Sequence, residues 1–284
     1  MAIFASIRSF KLVNEMHYVS DNFFSYKNIV LQYYKIGNGA KALICFHGFG
    51  QEGTAYLNLA EKNGDQYTFY SFDLPFHGRS SWTLGDKPIE KKQWLEFIGA
   101  FITEQGIKKF ALAGFSLGAR FVLVMTECFS NQIDRLYLIA PDGIKPSTWY
   151  TLATSTALGR SFFKSMIFNP HRFFNLARIV AKLNLVDKRL IRFAISQMDT
   201  VNKRTKVYHA WVVFRKLSIS RANLIRNLNQ HNLPVTLILG DGDRMITKKH
   251  VKQILKNVHT ASLVILPSSH HALLSVMAKT GLPE

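Results

Sequence analysis

A mainly parallel β-sheet with helices on both faces, an α/β architecture, is predicted by three observations. Short apolar runs alternate with amphipathic stretches in both halves of the chain. Most of these runs stop at glycine, histidine or aspartate, at the strand ends where open parallel sheets hold ligands. A Gly-x-Ser-x-Gly turn stands between a strand-like run and a helix-like one.

The elements follow in order. Ile29 to Ile36 reads as a strand, and Gly37-Asn38-Gly39 after it carries the signature of a hairpin turn. Ala42 to Phe46 is a second strand, stopped by His47-Gly48-Phe49-Gly50, and Tyr67 to Phe72 a third, stopped by Asp73-Leu74-Pro75. Trp94, Leu95, Ile98, Phe101 and Ile102 recur at helical spacing, with Gly106 placed to end that helix. Phe110 to Ala113 reads as a buried strand running into Gly114-Phe115-Ser116-Leu117-Gly118, Ala119 to Phe129 as an apolar helix, and Ile133 to Ala140 as the next strand. Val235 to Leu239, a helix over Lys248 to Asn257, and Leu263 to Leu266 resume the alternation.

The 284 residues are 48% hydrophobic and 19% charged, which suits a large folded core and excludes wholesale disorder. The formal charge is +18, and it is unevenly placed. From Ile144 to Asn232 there are 16 Lys and Arg against only Asp187 and Asp199. Pro146 and Pro234 stand near the two ends of this stretch. The composition shift separates a core, 1–143 and 233–284, from a basic, Phe-rich helical insert, 144–232. Cys45 and Cys128 lie in apolar runs that read as core, cannot form a disulfide framework, and suit a reducing compartment. No apolar stretch reaches the roughly 18 to 20 residues that span a bilayer, and Met1 to Lys11 lacks a secretory apolar region. The expectation is a soluble, cytoplasmic protein. No Cys/His pattern has zinc spacing, and no metal or cofactor is expected.

The serine turn carries the chemistry. In such an elbow the serine is forced into an unfavourable backbone conformation, which only very small residues at Gly114 and Gly118 permit. Its Oγ is thereby exposed at a helix N-terminus, whose amides favour developing negative charge. The Phe49 amide in His47-Gly48-Phe49-Gly50 and that of Leu117 are the candidate oxyanion donors. His47, flanked by glycine, reads as support for this loop at the substrate site rather than as a base. Leu239-Gly240-Asp241-Gly242-Asp243 supplies a carboxylate, and the spacing from Gly240 favours Asp243. Leu266-Pro267-Ser268-Ser269-His270-His271 supplies a base from one of its two histidines.

Four motifs in order, HGFG, DLPFHGRS, GFSLG and GDGD…LPSSHH, make the chain resemble the α/β-hydrolase superfamily over about residues 25–143 and 233–280. The order Ser, Asp, His is that of this superfamily. In relatives the last motif reads L-P-x-x-G-H, so the resemblance favours His271 as the base, with His270 as the alternate where glycine is usual. Some relatives carry the acid one strand earlier, which makes Asp142 the alternate to Asp243. DLPFHGRS resembles a D-x-P-G-x-G-x-S stretch with Phe76 in place of glycine, a structural turn lining the site. The resemblance implies no metal or organic cofactor, and it makes the insert a lid over the site.

Within the insert, Phe162, Phe163, Ile167, Phe168, Phe173, Phe174, Leu176, Ile179, Val180, Leu183 and Leu185 alternate with cations, suggesting short amphipathic helices. Most should pack the lid, and a few should line an apolar acyl pocket, with Phe115 and Arg120 as further substrate-binding candidates. The partners expected are a small-molecule ester or acidic substrate and, through the basic insert, an anionic membrane surface. No nucleic-acid motif accompanies the charge. Serine at the elbow, where dehalogenase and epoxide-hydrolase relatives use aspartate, points to a carboxylic-ester hydrolase. Arg120, four residues after Ser116, resembles the carboxylate-binding arginine of the menaquinone-pathway 2-succinyl-6-hydroxy-2,4-cyclohexadiene-1-carboxylate synthase, which makes C–C bond chemistry the first alternative. A catalytically idle binding protein of the same fold is the second.

Overall fold

The computed structural model describes residues 19–144, 148–183 and 188–283. The Met1 to Lys11 stretch, Pro146, Leu185 and Asp187 lie outside the described residues. The elements are β1 (Val19–Tyr26), β2 (Ile29–Ile36), β3 (Lys41–Phe46), α1 (Leu57–Asn63), β4 (Tyr67–Phe72), β5 (Ser81–Trp82), α2 (Lys91–Glu104), β6 (Phe110–Phe115), α3 (Gly118–Met125) and β7 (Ile133–Ile139). There follow α4 (Thr148–Ser155), α5 (Ala157–Phe168), α6 (Pro170–Lys182), α7 (Lys188–Ser196), α8 (Val201–Val213), α9 (Arg221–Gln230), β8 (Val235–Gly240), α10 (Lys248–Asn257), β9 (Ala261–Leu266) and α11 (Leu273–Thr280).

The strands form one sheet in the order β1-β2-β4-β3-β6-β7-β8-β9, with β5 paired to β2. The pairs from β4 through β9 are parallel, whereas β1, β2 and β5 enter antiparallel. Alternation of side chains along each strand divides the core between the two faces. One face carries Leu43, Cys45, Phe69, Ala111 and Ala113 against Tyr56, Leu59 and Ala60 near α1 and Leu273, Leu274 and Met277 of α11. On the other, Phe46, Phe72 and Tyr33 meet the aromatic rings of α2 and α3. Trp94 is central there: it stacks on Phe97, meets Phe46 and Phe121 edge-on, and its Nε1–H donates to the Phe121 carbonyl at 3.2 Å.

Two expectations need correction. Gly37-Asn38-Gly39 is not a hairpin turn, because β2 pairs with β1, β4 and β5 and not with β3. The Asn38 and Gly39 amides donate instead to the Gly64 carbonyl, and a Cβ at Gly39 would lie 2.1 Å from the Tyr67 nitrogen. These residues are small because another backbone passes against them. The real hairpin joins β1 to β2 through Lys27, in the left-handed region at φ 54°. Cys45 is buried as expected, but Cys128 is exposed.

The described chain divides into two compact units. The larger is Met1–Leu84, Glu90–Lys145 and Leu217–Glu284, and it includes the whole sheet. The smaller is Pro146–Lys216 together with Gly85–Ile89. The compositional boundary at 232 therefore overshoots: α9 is as basic as the insert but belongs to the larger unit, where Leu224 and Leu228 are buried and the Asn227 side chain donates to the Thr126 carbonyl at 3.3 Å. The smaller unit has its own core of Phe163, Met166, Ile167, Met198, Tyr208 and Val212. Asp86 ties Gly85–Ile89 into it, meeting Lys164 Nζ at 2.5 Å, Tyr208 Oη at 3.2 Å and His209 Nε2 at 3.2 Å. Arg204 is buried and spends its guanidinium on the Ile167, Met198 and Asp199 carbonyls, so this cation is structural.

Because Trp94 is wholly enclosed by rigid aromatic neighbours, Trp94→Ala should lower unfolding free energy by about 3–5 kcal/mol. Urea denaturation followed by far-UV circular dichroism measures this, and a change below about 1 kcal/mol would contradict the packing described.

Candidate active site

The site is assembled at the carboxyl ends of the parallel strands, where β6 turns into α3. Ser116 has φ 48°, a left-handed conformation strained for a side chain with a Cβ. The surroundings hold it there: the Ser116 amide donates to the Ile139 carbonyl at 2.9 Å, and its carbonyl accepts from the Asp142 amide at 3.1 Å. The flanking glycines allow close approach. A Cβ on Gly114 would lie 2.7 Å from Ala119 Cα, and one on Gly118 would lie 2.1 Å from the Phe46 carbonyl oxygen. The spacing Gly-x-Ser-x-Gly thus follows from packing β6, α3 and the end of β3 into one corner.

His270 Nε2 lies 3.0 Å from Ser116 Oγ, and His270 Nδ1 lies 2.6 Å from Asp243 Oδ2. Burial opposes ionisation of Asp243. The hydrogen bond from His270, with the Ile246 and Met245 amides donating to Oδ1 at 2.9 and 2.7 Å, outweighs it and holds this carboxyl below its ordinary range. An ionised carboxylate only accepts, so the Nδ1 of His270 carries the proton and Nε2 is left to accept from the serine hydroxyl. The Phe115 ring packs against the His270 ring with centroids 5.2 Å apart.

The histidine on Ser116 is therefore His270 and not His271, which corrects the expectation drawn from the L-P-x-x-G-H pattern. His270 is buried, while His271 is exposed with its ring nearly perpendicular to that of His270. The loop is anchored by Asp241 Oδ1, which accepts from the Ser268 amide at 3.0 Å, and by the Gly242 amide, which donates to the Ser268 carbonyl at 3.1 Å. With Ser268 pinned, the side chain two residues later points to the serine.

Asp142 is corrected too. Its Oδ2 pairs with Arg120 Nε at 2.7 Å, and the histidine meets Asp243 instead. The same pair engages the Nε of Arg120, which is buried on α3 beside the elbow. Phe115 and His47, taken as substrate-binding residues, are also buried. The His47 Nδ1–H donates to the Gly48 carbonyl at 2.7 Å, and its Nε2 accepts from the Leu74 amide at 3.0 Å. Burial and the charge of nearby His77 push its pKa well below the ordinary histidine value, so it stays neutral.

The HGFG loop is braced by residues whose role the sequence did not disclose. His77 Nε2 accepts from the Gly50 amide at 3.2 Å, and its Nδ1–H donates to the Pro75 carbonyl at 3.1 Å. Its ring packs edge-on against both His47 and Phe49. Among the described residues the Phe49 and Leu117 amides donate to no protein acceptor, whereas the neighbouring Gly48 and Gly50 amides are taken. Phe76 has φ 68°, the backbone state for which glycine is usual at that place in the DLPFHGRS turn. Among the described residues, no three His, Cys, Asp or Glu side chains gather to hold a metal.

Comparison with known proteins identifies the family. A model described as "alpha/beta hydrolase fold" matches residues 41–275. The chain belongs to the alpha/beta hydrolase fold family. A Mycoplasma pneumoniae protein designated an esterase/lipase is 30% identical to this alpha/beta hydrolase chain over 101 residues, 34% of the chain and 37% of the relative. The 2-succinyl-6-hydroxy-2,4-cyclohexadiene-1-carboxylate synthase of Yersinia enterocolitica is 31% identical over 103 residues, 36% of the chain and 35% of the relative. The chain thus spans a little over a third of the length of these curated relatives. A thermophilic esterase from Thermogutta terrifontis superposes with a TM-score of 0.63 at 13% identity, covering 89% of this chain and 91% of that one, a likeness of fold.

Asp73, at the end of β4, also bears on the HGFG region. Its Oδ1 accepts from the Gly53 amide at 2.6 Å, but its buried Oδ2 has no partner among the described residues. Burial pushes this carboxyl up to about 6, the Gly53 amide offsetting part of the effect. The group is protonated in both folded and unfolded chains below about pH 4. Between about pH 4 and 6 the folded chain keeps a proton the unfolded chain has lost, so the contribution of Asp73 to stability falls as pH rises. Asp73→Asn should therefore gain on the wild type by up to about 3 kcal/mol from pH 4 to pH 7. Urea denaturation of both proteins at the two pH values tests this, and parallel pH dependence would refute it.

Proposed function

We propose that the chain is a serine hydrolase of carboxylic esters or related acyl substrates, with Ser116 as nucleophile, His270 as general base and Asp243 as its orienting acid. The observation that carries this reading is the unbroken line of hydrogen bonds from Ser116 Oγ to His270 Nε2 at 3.0 Å and from His270 Nδ1 to Asp243 Oδ2 at 2.6 Å. The Ser116 proton moves to His270 Nε2 as Oγ attacks the acyl carbon, and ionised Asp243 stabilises the imidazolium. The tetrahedral oxygen takes the two unspent amides, Phe49 and Leu117. Donors of this kind contribute roughly 10²–10³ each to the rate. His270 returns its proton to the departing alkoxide, and a water activated by the same nitrogen then releases the acid and regenerates Ser116.

The esterase/lipase designation of the Mycoplasma pneumoniae relative supports this substrate class. The Arg120–Asp142 pair favours it over C–C chemistry on an acidic substrate, because the guanidinium that would bind a carboxylate already has one. The smaller unit, Gly85–Ile89 and Pro146–Lys216, is assigned the role of a cap that selects the acyl group.

A fluorophosphonate probe and a panel of p-nitrophenyl esters test the proposal. Ser116→Ala should abolish labelling while Ser130→Ala keeps it. His270→Ala should lower kcat by at least about 10³-fold. His271→Ala should stay within about threefold of the wild type. Absence of labelling in the wild type would favour an idle binding protein, and a larger loss in His271→Ala than in His270→Ala would overturn the assignment of the base.

A further inference from the structure

The smaller unit exposes apolar surface that its own core does not use. Of the large hydrophobic side chains exposed among the described residues, all but Phe23 and Ile265 lie between Leu152 and Trp211. The clearest case is α6, which buries none of its residues. One flank of its apolar arc, through Phe173, Ala177 and Val180, is half-buried, and Phe173 packs on the Phe163 cluster. The other flank is a ridge of Leu176, Ile179 and Leu183, spaced i, i+3, i+7, with exposures of 41%, 55% and 60%. Phe168, 75% exposed, stands two residues before the helix begins.

The charge around this ridge is of one sign. From Ala157 to Leu183 the chain carries Arg160, Lys164, Arg172, Arg178 and Lys182 and no acidic residue. Arg160 caps the Thr154 and Ser155 carbonyls, and Lys164 is held by Asp86. Arg172, Arg178 and Lys182 are exposed and, among the described residues, have no carboxylate partner. Arg172 lies one turn before Leu176 at the end of the ridge, and Arg178 and Lys182, one turn apart, share the polar side.

We infer that α6, with Phe168, is a docking surface for an anionic lipid bilayer, its Leu176-Ile179-Leu183 ridge entering the interface while Arg172, Arg178 and Lys182 meet lipid phosphates. An apolar ridge bordered by unpaired cations is what the headgroup–acyl boundary accepts, since the ridge gains a dry environment and the cations gain anions. A second copy of the chain is a poor occupant. It brings the same cations and the same +18 formal charge, so closing the two faces on each other is opposed by repulsion. Among the described residues no helix is long and apolar enough to cross a membrane, so this is attachment at the surface. The inference is independent of the catalytic reading, because it uses no residue of the serine site.

Co-sedimentation of the chain with vesicles tests it. Vesicles of 30% phosphatidylglycerol in phosphatidylcholine should bind at least tenfold more strongly than phosphatidylcholine alone, and 0.5 M NaCl should remove most of that difference. The triple variant Arg172→Gln/Arg178→Gln/Lys182→Gln should lose at least tenfold in partitioning. Leu176→Ser/Ile179→Ser/Leu183→Ser should also lose binding to vesicles, yet keep binding to heparin, which reads charge alone. Ser116→Ala should bind vesicles as the wild type does, which separates this outcome from failure of the hydrolase reading. Circular dichroism confirms that each variant is folded. Equal binding to neutral vesicles, unchanged binding by folded variants of both kinds, or a concentration-dependent dimer abolished by the ridge variant would each overturn the inference. So would duplex DNA binding tighter than the vesicles' and insensitive to the ridge variant.

Discussion

The left-handed backbone at Ser116 is the constraint on which the site depends. A side chain in that conformation stands clear of the turn, with its hydroxyl at the start of α3 and its own carbonyl fastened to the Asp142 amide. Strain of this kind, of order 1–3 kcal/mol, persists only where the surroundings over-determine it. Here the Ile139 carbonyl, the Asp142 amide and the close approaches at Gly114 and Gly118 do so. The same corner brings the end of β3 against the start of α3, and with it the HGFG loop that offers the Phe49 amide.

Buried histidines serve two different ends in this molecule. His47 and His77 spend both ring nitrogens on backbone groups and act as braces between the HGFG loop and the DLPFHGRS turn. His270 spends one nitrogen on Asp243 and turns the other to a hydroxyl, which is the arrangement that lets an imidazole accept and return a proton. The residue type is common to all three, and the partners decide the chemistry. Arg120 too is set by its partner, the Asp142 carboxylate that meets its Nε.

Much of the fold was legible from periodicity. The strand ranges read at Ile29 to Ile36 and Tyr67 to Phe72, and the helix over Lys248 to Asn257, coincide with β2, β4 and α10: the two strands are runs buried along most of their length, and α10 buries Val251 and Ile254 at helical spacing. Less regular pieces were missed: the edge strand β1, the two-residue β5, and α1, whose short run carries little repeating signal. Composition placed the boundaries of the insert less well. It follows charge, while the division into units follows packing, and α9 is basic yet buries Leu224 and Leu228 in the larger unit. Gly85–Ile89, joined to the smaller unit through Asp86, has no compositional mark at all.

What the sequence determined by itself was local: the strand–turn–helix at Ser116, the glycines it requires, the Gly240 to Asp243 turn, and the small set of candidate histidines and carboxylates. Which member of each set is brought to Ser116 was decided by the tertiary structure. Adjacent histidines differ by one residue in a loop without a repeat, so no pattern distinguishes them. The choice rests on Asp241 and Gly242 holding Ser268, which turns His270 inward and leaves His271 exposed. The pairing of Arg120 with Asp142, 22 residues apart, and of β2 with β4 rather than β3, are likewise long-range choices. They depend on which groups the packed sheet brings within bonding distance, a quantity that spacing along the chain does not contain.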